Sequence, residues 1–383
     1  MPTIAVSVAG VVLVALGMRQ AVAGVPPVLA DLGLSPGTAS ALVAVPVLCF
    51  SLGALAGPAL RARLGEERAI FAMVVTLLGG LVLRAIWPGW ALFPGTILAG
   101  LSIAVLNVLL PALVKRRFPD RIGPMMAAYT VSMALGASAA SGLTYSIMQA
   151  AGGSPTVALG IWAVPVGLAV AAWLPQLGAP PTTLARGGRR SVPVWRQPLA
   201  WHVLFFMGMQ SLLYYGPLSW LPAIYRDRGI DPVSAGVLLT LFNGLGIVGN
   251  LTAPVFAARL PSQRPAVAAT ILLTTVGLLG VLLAPTSTAL VWAVVLGISQ
   301  GACLSLALLC IVLRSATPDV AASLSGMAQS GGYLIASTGP LIMGLLHTTT
   351  GDWTVPLLFL VVVALAIWIP AMTAAQNRLI GSE

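Results

Sequence analysis

The sequence contains 383 residues, of which 58% are hydrophobic and 7% are charged, and its mean hydropathy is +0.99. Soluble domains carry roughly 25% charged residues, so this composition excludes a protein whose surface faces mainly water. The net charge of +10 leaves nucleic-acid binding open until the positions of the basic residues are considered.

Apolar segments recur along the chain at the length of a membrane-spanning helix, which needs about 20 residues to cross roughly 30 Å of hydrocarbon. They predict twelve transmembrane helices, near residues 4–28, 37–60, 69–87, 89–114, 122–150, 155–175, 198–222, 232–258, 265–285, 287–314, 319–347 and 353–375. Residues 176–197 are rich in Pro, Gly and Arg and predict a cytoplasmic linker. The expected fold class is an all-α membrane protein with an N-terminal six-helix bundle (1–175) and a C-terminal six-helix bundle (198–383).

The basic residues of the predicted loops are distributed unequally between the two sides of the membrane. Fifteen Lys and Arg residues fall on one side, whereas only Arg226 and Arg228 fall on the other. The positive-inside rule therefore places the first side, with both termini, in the cytoplasm of a bacterial inner-membrane protein. The positive charge is then a topology signal, which argues against nucleic acid as a partner.

The two halves of the sequence repeat. Residues 57–68 and 253–264 share five of twelve residues at a shift of 196, including the pairs Arg63/Arg259 and Arg68/Arg264. Two copies with an even number of helices enter the membrane from the same side, which predicts parallel repeats about an axis along the membrane normal.

Three longer motifs carry a resemblance to a known family. They are Asn-Val-Leu-Leu-Pro-Ala-Leu-Val-Lys-Arg-Arg-Phe-Pro at 107–119, the segment 210–222 with its Tyr-Tyr and Trp-Leu-Pro, and Leu-Ser-Gly-Met-Ala-Gln-Ser-Gly-Gly-Tyr-Leu at 324–334. With them the chain resembles the cyanate-permease and nitroimidazole-transporter branch of the major facilitator superfamily. The resemblance implies that superfamily's twelve-helix fold and a secondary transporter. Arg61 stands where the superfamily commonly has Asp after the second helix.

Arg19 is the strongest candidate for substrate binding. It lies about 22 Å along the first predicted helix, beyond the bilayer midplane, where an arginine costs roughly 2.5–3.5 kcal/mol. Its guanidinium suits a carboxylate or similar oxyanion, and the alternative is a side chain that snorkels to the interface. Arg84, three residues before Trp87, is either such an interfacial anchor or a residue that attracts anions.

The acidic residues are all expected in loops or at segment ends, at Asp31, Glu66, Glu67, Asp120, Asp227, Asp231, Asp319, Asp352 and Glu383. No carboxylate is therefore expected within the membrane beside Arg19, which favours the substrate as its counter-charge. The same pattern argues against proton coupling through an intramembrane Asp or Glu.

A set of amides and phenols is expected near the midplane, from both halves, as the lining of a central cavity. It comprises Asn107, Tyr129, Gln210, Tyr214, Tyr215, Asn243, Gln300, Gln329 and Tyr333. Hydrogen bonds between helices would satisfy these groups equally well. Arg63, Arg68, Arg259 and Arg264 are candidates for a gating motif in cytoplasmic loops. No catalytic, metal or cofactor motif is found in the sequence.

Two functions remain open. The first is a secondary transporter that moves a small anion by alternating access, with Arg19 as the charge anchor, that is, the residue whose positive charge holds the substrate. The second is an exporter of small neutral polar compounds such as nitroimidazoles. A membrane enzyme or sensor lacks supporting residues. A monomer in the lipid bilayer is expected.

Overall fold

The computed structural model of the protein describes residues 4–25, 28, 32, 36–86, 90–178 and 193–381. Within these ranges the regular secondary structure is helical, apart from one isolated parallel bridge between Ser315 and Ile380. The chain divides into two compact units. Unit 1 comprises Met1–Arg117 and Ala128–Ser191, and unit 2 comprises Phe118–Ala127 and Val192–Glu383.

Unit 1 is built from the first eight helices. These are α1 (Ile4–Ala23), α2 (Pro36–Ala54), α3 (Ala56–Leu64), α4 (Glu66–Ile86), α5 (Leu92–Arg117), α6 (Ile122–Ala150, whose first residues belong to unit 2), α7 (Pro155–Gly160) and α8 (Ala163–Leu177). Gly65 separates α3 from α4 with a φ of 80°, a conformation that glycine adopts at little cost. This turn lets α4 begin directly at Glu66.

Unit 2 contains the remaining helices. These are α9 (Pro198–Asp227), α10 (Pro232–Ala257), α11 (Arg264–Leu283), α12 (Ala289–Leu313), α13 (Pro318–Thr350), α14 (Thr354–Ala366) and α15 (Trp368–Ala374). The ends of α13 show how local sequence sets these bounds. The Thr317 hydroxyl accepts a hydrogen bond from Val320 N at 3.3 Å, and Gly351 ends the helix with a φ of 79°.

The described helices fall on the twelve predicted segments, with α2–α3, α7–α8 and α14–α15 each sharing one segment. Seven helical stretches among the described residues are long and apolar enough to cross a membrane: Glu66–Ile86, Leu92–Arg117, Pro155–Leu177, Ser234–Ala257, Arg264–Leu283, Thr286–Leu313 and Thr354–Ala374. Most of the predicted linker, residues 179–192 with Arg186, Arg189 and Arg190, lies outside the described residues.

Helices α10 and α12 pack with their backbones in contact. A Cβ added to Gly301 would overlap the carbonyl oxygen of Gly246, and a Cβ added to Gly249 would overlap the carbonyl oxygen of Ile298. Only glycine permits this separation, which is a common way for membrane helices to associate closely. The close contact fixes the faces that α10 and α12 present to the rest of unit 2.

Candidate functional site

Arg19 lies in the last two turns of α1 and is half-buried. Its Cζ atom is 5.8 Å from the centroid of the Phe50 ring in α2, and Phe50 is only 1% exposed. A guanidinium over an aromatic face at this distance gains cation–π energy of about 0.5–2 kcal/mol. The N–H donors of any guanidinium point outward in its own plane.

The position of α1 is set by close contacts with α6 and α8. A Cβ on Gly136 of α6 would overlap the backbone oxygen of Leu16, and a Cβ on Gly17 would come within 2.9 Å of Val166 in α8. Two neighbouring helices therefore hold α1 immediately before Arg19. This packing gives the Arg19 backbone little lateral freedom.

Asn107 and Tyr129 form the polar pair of unit 1. The Tyr129 hydroxyl donates to Asn107 Oδ1 at 3.0 Å and joins α6 to α5. Both residues are almost completely buried, at 2% and 1% exposure. Buried amides and phenols need such partners, so the bond satisfies part of the hydrogen-bonding capacity of both groups.

Tyr214 and Asn243 form a corresponding pair in unit 2. The Tyr214 hydroxyl donates to Asn243 Oδ1 at 2.8 Å and joins α9 to α10. The Tyr214 ring stacks on Phe242 with centroids 5.6 Å apart and meets Tyr215 edge-on at 5.2 Å. The side chains of Tyr214, Tyr215 and Asn243 are only partly buried. This part of the candidate site is therefore a partly accessible aromatic surface with one amide.

The buried glutamines of unit 2 differ in how they are satisfied. Gln210 donates to Ser211 Oγ at 2.7 Å, and Gln329 donates to Ser325 Oγ at 2.8 Å, each within its own helix. Tyr333 lies one turn after Gln329 in α13 and is also buried. Gln300 in α12 is 2% exposed, and neither its Oε1 nor its Nε2 has a hydrogen-bond partner among the described residues. A buried amide without partners costs at least about 1–3 kcal/mol, which marks Gln300 as a candidate for contact with a ligand or water.

Arg84 is fully buried near the end of α4 rather than at the surface of unit 1. Its Nη1 donates to the backbone oxygen of Ala21 in α1 at 2.5 Å. Its Nε and Nη2 have no hydrogen-bond partner in the described part of the chain. Arg84, which the sequence places near the outer interface, thus contacts α1, the helix that carries Arg19.

A cluster of five charged residues, here called the basic–acidic cluster, lies at the predicted cytoplasmic end of unit 1. It consists of Arg61, Glu66, Glu67, Arg116 and Arg117. Glu66 lies 3.1 Å from Arg61 Nε and 2.8 Å from Arg116 Nε, and Glu67 binds both Arg116 and Arg117, the latter at 2.9 Å. Sequence analysis expects Glu66 and Glu67 in loops or at segment ends, and both form the first turn of α4, where they are buried. The sequence signal for the basic–acidic cluster is two short charged runs, Glu66-Glu67 and Lys115-Arg116-Arg117.

Arg117 extends this cluster into an arginine clamp. Its Nη1 donates to Ser7 Oγ in α1 and to Gln176 Oε1 in α8, both at 2.7 Å. Trp173 Nε1 donates to the Glu67 backbone oxygen at 3.1 Å. One arginine therefore ties together the ends of α1, α4 and α8.

Unit 2 contains a second arginine clamp at matching positions. Arg314, at a shift of 197 from Arg117, donates to Gln263 Oε1 and to the Gln376 backbone oxygen. Gln263 replaces Glu67 at the shift of 196, so the amide takes the place of the carboxylate. Ile380 N donates to Arg314 O at 2.7 Å, and Ile380 is 1% exposed, so the chain after α15 completes this clamp.

The four arginines of the predicted gating motif, Arg63, Arg68, Arg259 and Arg264, are all exposed. Arg264 Nε donates to the Met372 backbone oxygen at 3.2 Å. The side chains of the other three form no hydrogen bond or ion pair among the described residues, whereas Arg61 pairs with Glu66 and Arg117 pairs with Glu67.

The opposite end of unit 2 contains a cavity of about 250 Å³. The His347 ring stacks on Trp353 with centroids 3.9 Å apart, and Trp353 Nε1 donates to Asp227 Oδ2 at 2.7 Å. These contacts join the ends of α9 and α13 to the start of α14. Among the described residues no group of three or more His, Cys, Asp or Glu is placed to hold a metal ion.

Comparison with known proteins agrees with this architecture. The profile of the Major Facilitator Superfamily matches residues 8–340. The chain is 37% identical to the uncharacterized transporter YycB of Bacillus subtilis over 97% of this chain and 94% of that protein. It is 34% identical to the 2-nitroimidazole transporter of Escherichia coli (97% of this chain, 96% of that protein) and 28% identical to the cyanate transport protein CynX of Escherichia coli (89% and 90%).

The fold is also that of solved transporters. The crystal structure of a variant of the Escherichia coli fucose:proton symporter FucP superposes with a TM-score of 0.77 over 97% of this chain and 99% of that chain, at 14% sequence identity. Such a likeness shows the fold alone. Together with the sequence match over most of the chain, it confirms the predicted family and fold class. The chain therefore belongs to the Major Facilitator Superfamily, and it is a multi-pass membrane secondary transporter rather than an enzyme.

Proposed function

We propose that this transporter moves a small anion by alternating access and that Arg19 is its charge anchor. The observation that carries the proposal is a half-buried guanidinium in the first membrane helix, set over the buried ring of Phe50. In a low-dielectric surrounding a fixed positive charge attracts an anion far more strongly than in water. The planar donors of arginine suit a carboxylate or a similarly delocalised anion.

A named relative supports this proposal. The chain is 28% identical to a protein named as a cyanate transport protein, and cyanate is a small linear anion. Of the acidic residues that the sequence places in loops or at segment ends, Asp31 lies outside the described residues.

The second candidate is transport of a neutral planar heterocycle. It is favoured by the relative named as a 2-nitroimidazole transporter and by the polar groups of unit 2. The Tyr214 ring stacked on Phe242 offers an aromatic surface, and Gln300 offers a buried amide without a partner among the described residues. A ring with nitrogen and nitro groups could use both features.

A binding assay separates the two candidates. The thermal unfolding of the purified protein is measured with one of two small anions, cyanate or 4-hydroxybenzoate, or with 2-nitroimidazole. The variants Arg19→Gln and Arg226→Gln are measured in the same way. A ligand at a hundred times its Kd adds about 2.7 kcal/mol of stability, which shifts the melt visibly. We expect an anion to stabilise the wild type and Arg226→Gln but not Arg19→Gln. Arg226 is the matched control because it is exposed and carries the same charge.

The opposite result would assign the neutral substrate. If 2-nitroimidazole stabilises the wild type and Arg19→Gln equally and neither anion has an effect, the anion proposal is wrong. Gln300→Leu then tests the alternative, since it removes the amide at nearly constant volume. Uptake of the binding compound into proteoliposomes then gives the direction of transport and the dependence of the transport rate on membrane potential.

We further propose that the protein is a monomer in the bacterial inner membrane with both termini in the cytoplasm. All three native cysteines are buried, so an impermeant maleimide should not label the folded wild type. Ser287→Cys, in the exposed turn before α12, should be labelled on intact cells. Asn377→Cys, exposed after α15, should react only after the membrane is opened. Labelling of Asn377→Cys on intact cells would reverse the orientation.

A further inference from the structure

We infer that Arg84 is a positioning residue for Arg19, because it caps the C-terminal end of α1. This inference rests on the proposed function, in which Arg19 binds the anion. The capping contact itself is independent of any substrate, since it joins Arg84 Nη1 of α4 to the Ala21 backbone oxygen at 2.5 Å.

The last carbonyl groups of a helix have no partner within it. In α1 these belong to residues 20–23. Gly24 N donates to Gln20 O at 3.1 Å, and Val25 N donates to Val22 O at 3.3 Å. Ser141 Oγ approaches Ala23 O at 3.4 Å. The remaining carbonyl, that of Ala21, is the one that receives Arg84.

Electrostatics favours the same contact. The C-terminal end of a helix carries a partial negative charge, which a cation stabilises. Arg84 forms no ion pair in the described part of the chain, and its bond to Ala21 is its one hydrogen bond there. Because the residue is completely buried, its charge has no solvent to contact. Among the described residues, the partial negative charge at the C-terminal end of α1 is therefore what compensates the positive charge of Arg84.

The cap lies close to the charge anchor. Ala21 follows Arg19 by two residues, and both lie within the last two turns of α1. The preceding turn is already held by Gly17 and Gly136 against α8 and α6. The Arg19 carbonyl accepts its helical hydrogen bond from Ala23 N, so the backbone angles of Arg19, and with them the direction of its side chain toward Phe50, depend on whether the last turn stays helical. Arg84 fixes that turn.

Hydrogen exchange tests the cap without any substrate. In Arg84→Met, which removes donor and charge at similar length, amides in the peptide covering residues 16–25 should exchange roughly tenfold faster, as for the loss of one hydrogen bond to a charged donor. Arg84→Lys should show a smaller increase, about threefold, because it retains the charge. The matched control is Arg228→Met, which loses an arginine-to-carbonyl bond to Val281 in unit 2 and should leave this peptide unchanged. Unchanged exchange in both Arg84 variants overturns the cap.

Transport kinetics test the positioning. For the anion that binds through Arg19, Arg84→Met should raise KM roughly tenfold with the maximal rate per folded protein within about twofold. A merely structural role would reduce the amount of folded protein and leave KM unchanged. Faster exchange with an unchanged KM therefore overturns the positioning role. If Arg84→Met yields no folded protein, Arg84→Lys decides the question. Its KM is expected to lie between that of the wild type and a value roughly tenfold higher. If Arg19→Gln does not alter anion binding, the proposed function fails, and the exchange result still decides the cap.

Discussion

Replacing Glu66 with Gln should destabilise the protein strongly. Glu66 is 1% exposed and lies 3.1 Å from Arg61 Nε and 2.8 Å from Arg116 Nε. Removing one partner of a buried ion pair costs about 3–5 kcal/mol, because the remaining charge stays buried without compensation. Arg116 retains 18% exposure and is partly screened by solvent, so we take the lower value, about 3 kcal/mol. For a unit of this size the melting temperature should fall by about 6–12 °C.

The assay is thermal unfolding of the purified protein, followed by tryptophan fluorescence. Asp120→Asn is the matched control, because Asp120 is an exposed acid three residues after Arg117 in the chain and forms no ion pair among the described residues. Its effect should stay within about 0.5 kcal/mol, as for other surface substitutions. The double variant Arg61→Gln/Glu66→Gln should recover part of the loss, since it also removes Arg61, which loses its ion pair with Glu66. Arg116 keeps its ion pair with Glu67 in both variants.

The reasoning fails if Glu66→Gln and Asp120→Asn melt within about 2 °C of each other. The basic–acidic cluster would then contribute no net stability, and its burial would need another explanation. A double variant that is less stable than Glu66→Gln alone would also contradict the argument. In that case Arg61 would stabilise unit 1 through contacts other than Glu66.

Two further predictions concern single side chains. Replacing Gln263 with Leu should lower the melting temperature by about 4–8 °C, a loss of about 2 kcal/mol. Arg314 would lose its amide acceptor, and the two carbonyl oxygens that accept from Gln263 Nε2, those of Ala257 and Leu260, would lose their donor. An unchanged melting temperature would contradict the clamp in unit 2. Replacing Gly136 with Ala should cost about 1–3 kcal/mol in unfolding free energy, because the Cβ would overlap the carbonyl oxygen of Leu16. Gly142→Ala, in the same helix with nothing within 4 Å, should gain up to about 1 kcal/mol in denaturant unfolding, and equal effects of the two would refute the close contact.

The positions of the helices could be predicted because hydropathy is a property of each segment by itself. The breaks within three predicted segments, those that separate α2 from α3, α7 from α8 and α14 from α15, could not be predicted. Leu55 and Ile367 are apolar residues within apolar runs and give no hydropathy signal, yet they separate α2 from α3 and α14 from α15. A break depends on how the helix packs against its neighbours, which composition does not report.

Glu66 and Glu67 show that hydropathy does not predict burial at the end of a helix. Glu66 and Glu67 follow a glycine and precede an apolar run, so hydropathy places them outside the membrane segment. Their burial depends on Arg116 and Arg117, which are 49 and 50 residues later. A contact at that separation requires the packing of α4 on α5, and the sequence of α4 alone contains no information about it.

The polar residues could be predicted as a set but not as pairs. Tyr129 and Asn107, or Tyr214 and Asn243, meet only when two helices have one particular rotation and register. The same geometry leaves the amide of Gln300 without a partner among the described residues, although Gln210 and Gln329 look equivalent to it in sequence. Side-chain direction, rather than residue type, distinguishes a candidate ligand contact from a helix-to-helix bond.

The two arginine clamps share a consequence for synthesis of the chain. Arg117 meets Ser7 and Glu67, which the ribosome has already made, but its third partner, Gln176, is made 59 residues later. Arg314 must wait for Gln376, which is made 62 residues later, and for Ile380 after it. Until those residues emerge, Arg314 at the C-terminal end of α12 has only one of its two acceptors. We therefore expect a ribosome stalled within α14 to expose Arg314 to proteases and quality-control factors that no longer reach it in the finished protein.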